Sequence, residues 1–533
     1  MFRLSVMLIL VLSNPLLLPG LEPSNWPQGT GPQARFSVPG EQVPTEWSVV
    51  RNQQIRWRKQ LSETGQSTVI TWGTRIFFTT MEDVSADSQF GQNIVAYCCE
   101  AATGKTLWKR TIKANHPLRL SGCFSDSSAP PALTDGKHVV FFNASGTITC
   151  FDFDGKQQWS RTIMAVGRSQ PFLLAGQVIF THQTYMPDEK GHFSHEHKNA
   201  PVSEWTQLQA LDLATGTLTW RSRCGANMGC LPLPHRLASG RDVIFVGRGG
   251  GHSPPETPEG ISMIDGHDGE TIWTLPLPGF MSTMSYHCAG PHVLVFHDDK
   301  HLWVDTTTGK ITRQASFLKD VSVRRHTNNG WETRVETLPA PKKKRAIIQQ
   351  SNLLVGKYHY FRSYTRPYLG RIHVADGSLQ YLQLPVQLKR EAGDSRDHLL
   401  WDASGMSPEV IESLRKSTRK NPRTLPIEQW CFAPNEVKNS RGYVVMGDAR
   451  SRGTGWGHHA SQVPTASGKR LFVPVMNGTV YVIAAGAPTL DEHAILSIND
   501  LGPVGKSFNR ASLSFSASAI FAHTIHEVIC IGN

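Results

Sequence analysis

The chain has 533 residues, only 18% of them charged, with 46 glycines and 33 prolines. Sparse charge excludes a disordered chain, and the Gly and Pro content favours many short strands joined by turns over long helices. The net charge is +11, yet the densest basic run, Lys342-Lys343-Lys344-Arg345, lacks the interleaved aromatics of a nucleic-acid surface and reads as a solvated loop.

At the N-terminus, Arg3 precedes the apolar runs Leu4 to Leu12 and Leu16 to Leu18, which break at Pro19-Gly20. Residues 1–20 therefore have the form of an export signal, which places the protein in a periplasmic or extracellular setting. The first cysteine is Cys98, so lipidation of the bacterial lipoprotein kind is not expected. No later run reaches the roughly 18 apolar residues of a spanning helix. Residues 21–46 form a lead-in. Ile55 to Leu61 (IRWRKQL) reads as a strand with no strand of its own before it.

From Cys98 onward one element recurs. It reads CCEAATGKTLW at 98–108, CFDFDGKQQW at 150–159, ALDLATGTLTW at 210–220, MIDGHDGETIW at 263–273, WVDTTTGKITR at 303–313 and HVADGSLQY at 373–381. An apolar strand leads to an acidic residue whose carboxylate can accept from turn amides. A Gly then closes the hairpin, and the returning strand ends in a Trp with a large area to bury against the next sheet. The turn glycines recur every 40 to 68 residues, a period of propellers or solenoids. A polar-Pro strand, a Gly turn and an apolar strand precede most copies, giving four strands per unit.

Strand sets fall near 67–112, 124–163, 168–224, 229–277, 281–317, 347–387 and 460–500. The last stretch, Asn509 to Ile531, offers only three strands, and the orphan at Ile55 to Leu61 supplies the fourth. The expected fold is all-β: an eight-bladed β-propeller of four-stranded antiparallel sheets, closed by an N-terminal strand, over residues 47–533. Pairing the ends hides both sheet edges. Two stretches fit no blade. Residues 320–345 are charged and read as a loop. Residues 390–457 read as a larger insertion, within which Ser407-Pro408-Glu409 opens a short helix that Asn421-Pro422 ends.

The pattern from Ala210 through Asp212 and Gly216 to Trp220 resembles the tryptophan-docking motif of the pyrroloquinoline quinone (PQQ) type propellers of the quinoprotein alcohol dehydrogenase-like superfamily. Trp26-Pro27 with Gly31-Pro32 resembles the lead-in of secreted PQQ-like repeat proteins. The resemblance runs from Trp26 to the C-terminus. It implies structural docking roles for Trp108, Trp159, Trp220 and Trp273. In the dehydrogenases of this family, the quinone lies on the propeller axis with calcium, and many place a vicinal disulfide over it. Cys98-Cys99 is the matching pair here, although its place in the repeat equals the plain strand positions Ala210-Leu211. Thr30 stands where the early signature has Gly, and no calcium ligand or catalytic Asp carries over to a numbered position.

The expected function is therefore an exported, non-catalytic, monomeric module that binds or scaffolds an envelope protein or glycan, with no cofactor. A PQQ- and calcium-dependent oxidoreductase is the alternative, and a relative of the assembly lipoprotein of the outer-membrane barrel machinery is a third reading. The candidate ligand-binding residues are Trp456, His458 and His459, just before the inner strand of the seventh unit, with Arg510 at the same place in the eighth. They would bring an aromatic face, two imidazoles and a cation to one rim. His192, His195 and His197 could bind a metal but read more simply as a polar loop. Gly249-Gly250-Gly251-His252 lacks the Lys-Ser/Thr and helix of a phosphate cradle. Asn143-Ala144-Ser145 and Asn477-Gly478-Thr479 fit the glycosylation sequon.

Overall fold

In the computed structural model each repeat folds into one four-stranded antiparallel sheet. Residues 25–119, 128–184, 201–249, 256–338, 352–400, 436–438, 444–446 and 463–532 are described, apart from short interruptions within them. The sheets are eight blades of a β-propeller. Blade one comprises Ile70–Trp72, Arg75–Met81, Ile94–Glu100 and Thr106–Ile112, from the innermost strand outward, and blades two to five repeat that order. Blade six starts at Asn352–Val355 and blade seven at Thr465–Ser467. Blade eight runs Ser514–Ser516, Ala519–His523 and Glu527–Ile531, and Ile55–Gln60 completes it from the N-terminal side. The ring is thus closed as the orphan strand requires.

The hairpin of each docking motif has local causes. Asp305 Oδ1 accepts from the amides of Thr307 and Thr308, and Asp152 Oδ1 accepts from Asp154 and Lys156. Gly216 adopts φ +69°, a left-handed conformation that costs other residues free energy. A register shift beside the turn, as between Ala210 and Leu211, twists the returning strand and turns its Trp toward the next blade. The middle strands are buried on both faces, as in Val139 to Phe142, so the core is a series of layers between blades.

Residues 320–345 are not simply a loop. Val321–Thr327 and Gly330–Glu336 form a β-hairpin, and its first strand adds in parallel to the outer strand Leu379–Gln383 of blade six. Val321 and Val323 are buried, and the charges of the hairpin pair, Arg325 with Glu336 and Arg324 with Glu492 of blade seven. The charge that suggests a loop is held in ion pairs on a two-stranded ribbon. The insertion after residue 390 begins with a second hairpin, Gln387–Lys389 with His398–Leu400. Arg390 ties it to blade seven through Asp500 and Ile498 O. The helix expected from Ser407 lies outside the described residues.

Candidate functional site

The lead-in runs through the centre of the ring. Trp26 bridges Thr71 on the inner strand of blade one, and Gln28 bridges Leu133 on that of blade two. Gln28 Oε1 accepts from Leu173 N of blade three. Ala34 and Phe36 pack with Leu233 of blade four and Leu353 of blade six. The Phe36 ring meets His287 of blade five, Ser37–Val38 pairs in parallel with the inner strand of blade seven, and Trp26 meets Phe515 of blade eight edge-on. A segment that reaches the innermost strands of seven blades directly and shares a buried cluster with that of blade six lies at the centre of the ring. Trp26 and Phe36 are both fully buried there.

Of the expected rim residues, Trp456, His458 and His459 lie outside the described residues, as do His192, His195, His197 and Asn477. Arg510 is buried rather than displayed at an open mouth. It sits between Asn509, which bridges Thr524, and Ser512. Ser512 Oγ accepts from Val463 N and donates to Val463 O. The approaches to the inner strands of blades seven and eight are therefore adjacent.

Cys98 and Cys99 are free thiols on the third strand of blade one, paired opposite Phe77 and Ile76. Their side chains enter two different inter-blade layers, because successive strand residues face opposite ways. Burial pushes the Cys98 thiol up to about 12, which favours the protonated thiol over the reactive thiolate. The Asn143 sequon is corrected as well: its amide is fully buried and donates to Gln92 O and Ile112 O, so it cannot carry a glycan.

The docking tryptophans lie between blades. A Cβ on Gly155 would sit 2.8 Å from the Trp108 ring, on Gly216 2.5 Å from Trp159, on Gly269 2.5 Å from Trp220 and on Gly309 2.7 Å from Trp273. Trp108, Trp159 and Trp220 are buried, whereas Trp273 is half-buried. Trp108 donates Nε1 to Phe153 O and Trp159 to Leu213 O of the following blade. Two features add to the motif. Trp57 on the N-terminal strand meets Gly104 in the same way, at 2.7 Å. Two residues past three of these indoles, Lys59, Arg110 and Arg161 donate to the carbonyls of Gly104, Gly155 and Gly216. The sequence signal for both is a Trp-x-Lys/Arg strand end, present in IRWRKQL, TLWKR and QQWSR.

The interface between blades five and six holds a chain of buried imidazoles that nothing in the local sequence reveals. His301 Nε2 lies 2.9 Å from His359 Nδ1, and His359 Nε2 lies 3.0 Å from Asn352 Oδ1. Because the Asn oxygen only accepts, His359 carries its proton on Nε2 and accepts from His301. His287 Nε2 donates toward Ser285 Oγ and Asn352 O. Burial lowers all three: His287 to about 4, His301 to about 3 and His359 well below the ordinary value. The network is neutral. Among the described residues, no group of three His, Cys, Asp or Glu side chains is arranged to hold a metal.

Residues 91–195 and 204–357 match the family described as outer membrane protein assembly factor BamB. Quinohemoprotein alcohol dehydrogenase from Comamonas testosteroni superposes with a TM-score of 0.51 at 12% identity, over 95% of this chain and 80% of that one. A europium-containing methanol dehydrogenase superposes with a TM-score of 0.52 at 10% identity, over 96% and 98%. At such identities the likeness is one of fold. No curated protein matches the chain. No helix among the described residues is long and apolar enough to cross a membrane.

Proposed function

We propose that this chain, a PQQ-like β-propeller of the quinoprotein alcohol dehydrogenase-like superfamily, is an exported, non-catalytic module that binds or scaffolds an envelope protein or glycan. The observation that carries the reading is the course of the lead-in. In the dehydrogenases the sequence resembles, the quinone lies on the axis, and contacts of residues 26–38 with the inner strands support a reading in which the centre of the ring holds protein instead. The described residues also fit calcium poorly. Four of the five buried carboxylates, Glu256, Asp265, Asp500 and Glu527, each answer an arginine, Arg248, Arg241, Arg390 and Arg58, and the fifth, Glu63, accepts from Thr64 N. They are spread over blades four, seven and eight and the approach to blade one. Cys98 and Cys99, facing separate layers, supply no disulfide at the axis. The name of the matched family is that of an envelope assembly factor, which agrees with the export signal read in residues 1–20.

We assign partner contact to Trp456, His458, His459 and Arg510, which the sequence sets before the inner strands of the seventh and eighth units. The test has two arms. Pure protein supplied with PQQ and calcium is assayed for dye reduction with a panel of alcohols and sugars, and turnover would overturn the non-catalytic reading. The same protein is used to retain partners from native envelope extract, with His459→Ala as the comparison. The reading expects no turnover and a specific partner that His459→Ala releases without lowering the melting temperature.

A further inference from the structure

Five of the eight blade junctions are closed by an indole on the next blade's glycine, at Gly104, Gly155, Gly216, Gly269 and Gly309. The junction between blades five and six is not. Its motif ends in Arg313 where the four copies before it end in Trp. A Cβ on Gly377 would meet the Arg313 guanidinium at 2.6 Å and the Trp303 ring only at 3.4 Å. Arg313 Nη1 donates to Ala375 O at 2.6 Å, and its guanidinium carbon lies 4.6 Å from the Trp303 ring centre. Trp303, one strand further in, donates Nε1 to Val374 O. The thin guanidinium does not fill the wedge that an indole fills elsewhere.

What remains is a groove of about 640 Å³ between the two blades, lined among others by His292, Trp303, Arg313, Leu354, Lys357 and Val374. Its volume is in the range of sites that take a bulky side chain. Its floor is apolar and aromatic, its charged lining residues are basic, and none is acidic. The nearby turn carboxylates are engaged. Asp305 accepts from Thr307 and Thr308, and Asp376 accepts from Ser378 N and pairs with His373. Lys357 is exposed, with its ammonium 5.3 Å from the Tyr358 ring, so it can turn to an incoming anion.

We propose that this groove docks a segment of a protein partner that carries an aromatic side chain flanked by carboxylates, the partner supplying in trans the ring that blade five lacks. The proposal rests on the binding-module reading and names the partner's chemistry. An aromatic side chain entering beside Trp303 gains ring contacts beyond its buried area. Flanking carboxylates meet Arg313, with its fork of donors, and Lys357.

The test uses the full-length protein and a fluorescently labelled acetylated peptide, DEWDE, followed by anisotropy, with DEADE and KKWKK as controls. Saturable binding of DEWDE is expected, at least tenfold tighter than either control. R313W restores the docking indole, fills the groove and should weaken DEWDE at least tenfold while raising the melting temperature. K357E changes only an exposed side chain, so it stays informative if R313W misfolds, and it should weaken DEWDE and strengthen KKWKK. Absence of saturable DEWDE binding, equal binding of KKWKK, or indifference to K357E overturns the groove assignment. If that happens while the native partner is still retained and released by His459→Ala, the groove alone falls and the binding-module reading stands.

Discussion

The indole of Trp57 stacks on Gly104 and donates Nε1 to Ala101 O at 2.9 Å, so a residue near the start of the described chain closes the last blade onto the first. Trp57→Ala removes a half-buried ring and should cost about 2–3 kcal/mol, below the range for fully buried aromatics, read as a fall in the denaturant midpoint. Deleting residues 47–61 should do more. It strips the partner of Glu527–Ile531, exposes a sheet edge and promotes aggregation, measurable by light scattering. Unchanged solubility and melting would remove the strand from ring closure.

Docking strength should follow burial. Trp159→Ala opens a cavity under a buried indole and should cost about 3–5 kcal/mol. Trp273→Ala, at a half-buried indole, should cost less. Arg161→Ala leaves the ring in place and removes one guanidinium bond to Gly216 O, a loss of about 1 kcal/mol. Chemical denaturation of the three variants checks the ranking, and an Arg161→Ala effect as large as that of Trp159→Ala would contradict it.

The axial segment should be the least exchangeable part of the lead-in. Amides bonded across it, such as Ala466 N to Phe36 O and Thr71 N to Trp26 O, should exchange with solvent only on sub-global opening. Trp26→Ala leaves a void against Phe515 and should cost about 3–5 kcal/mol, with faster exchange on the inner strands of blades one and eight. Rapid exchange at these amides in the native protein would mean that the axis is open in solution.

Acid should destabilise the protein early. His287, His301, His359 and His523 are held neutral by burial, with folded values of about 4 or lower where given, against an unfolded value near 6.5. Between those limits the unfolded chain binds more protons, so stability is complete above about pH 6.5 and is lost as pH falls toward 4. Each such histidine steepens the fall by up to about 1.4 kcal/mol per pH unit. Denaturant titrations between pH 7 and 4.5 should show this slope. His301→Phe should flatten it by one histidine's share, even though the variant is less stable at pH 7. An unchanged slope would mean that His301 is not held neutral.

The repeat architecture was legible because its causes are local and periodic. An acidic residue bonds the turn amides, a Gly takes the left-handed position, and a Trp follows at constant spacing. Each is decided within about ten residues, so the blades and the closing strand could be placed from the chain alone. Trp57 carries the same Trp-x-basic signature as Trp108 and Trp159 and was readable on that ground. The rest depended on which distant surfaces face one another. Trp26 and Phe36 have no periodic neighbours, and they lie on the axis only because eight inner strands converge there. The charges of 321–336 belong to a ribbon only because the outer strand of blade six offers a parallel edge. His287 and His301 of blade five meet His359 of blade six only across the interface between those blades. Arg313 in the place of a Trp is an ordinary substitution until Gly377 is set opposite it. Then the missing ring becomes a groove, because side-chain volume has consequences only where tertiary packing leaves no other atoms to fill the space.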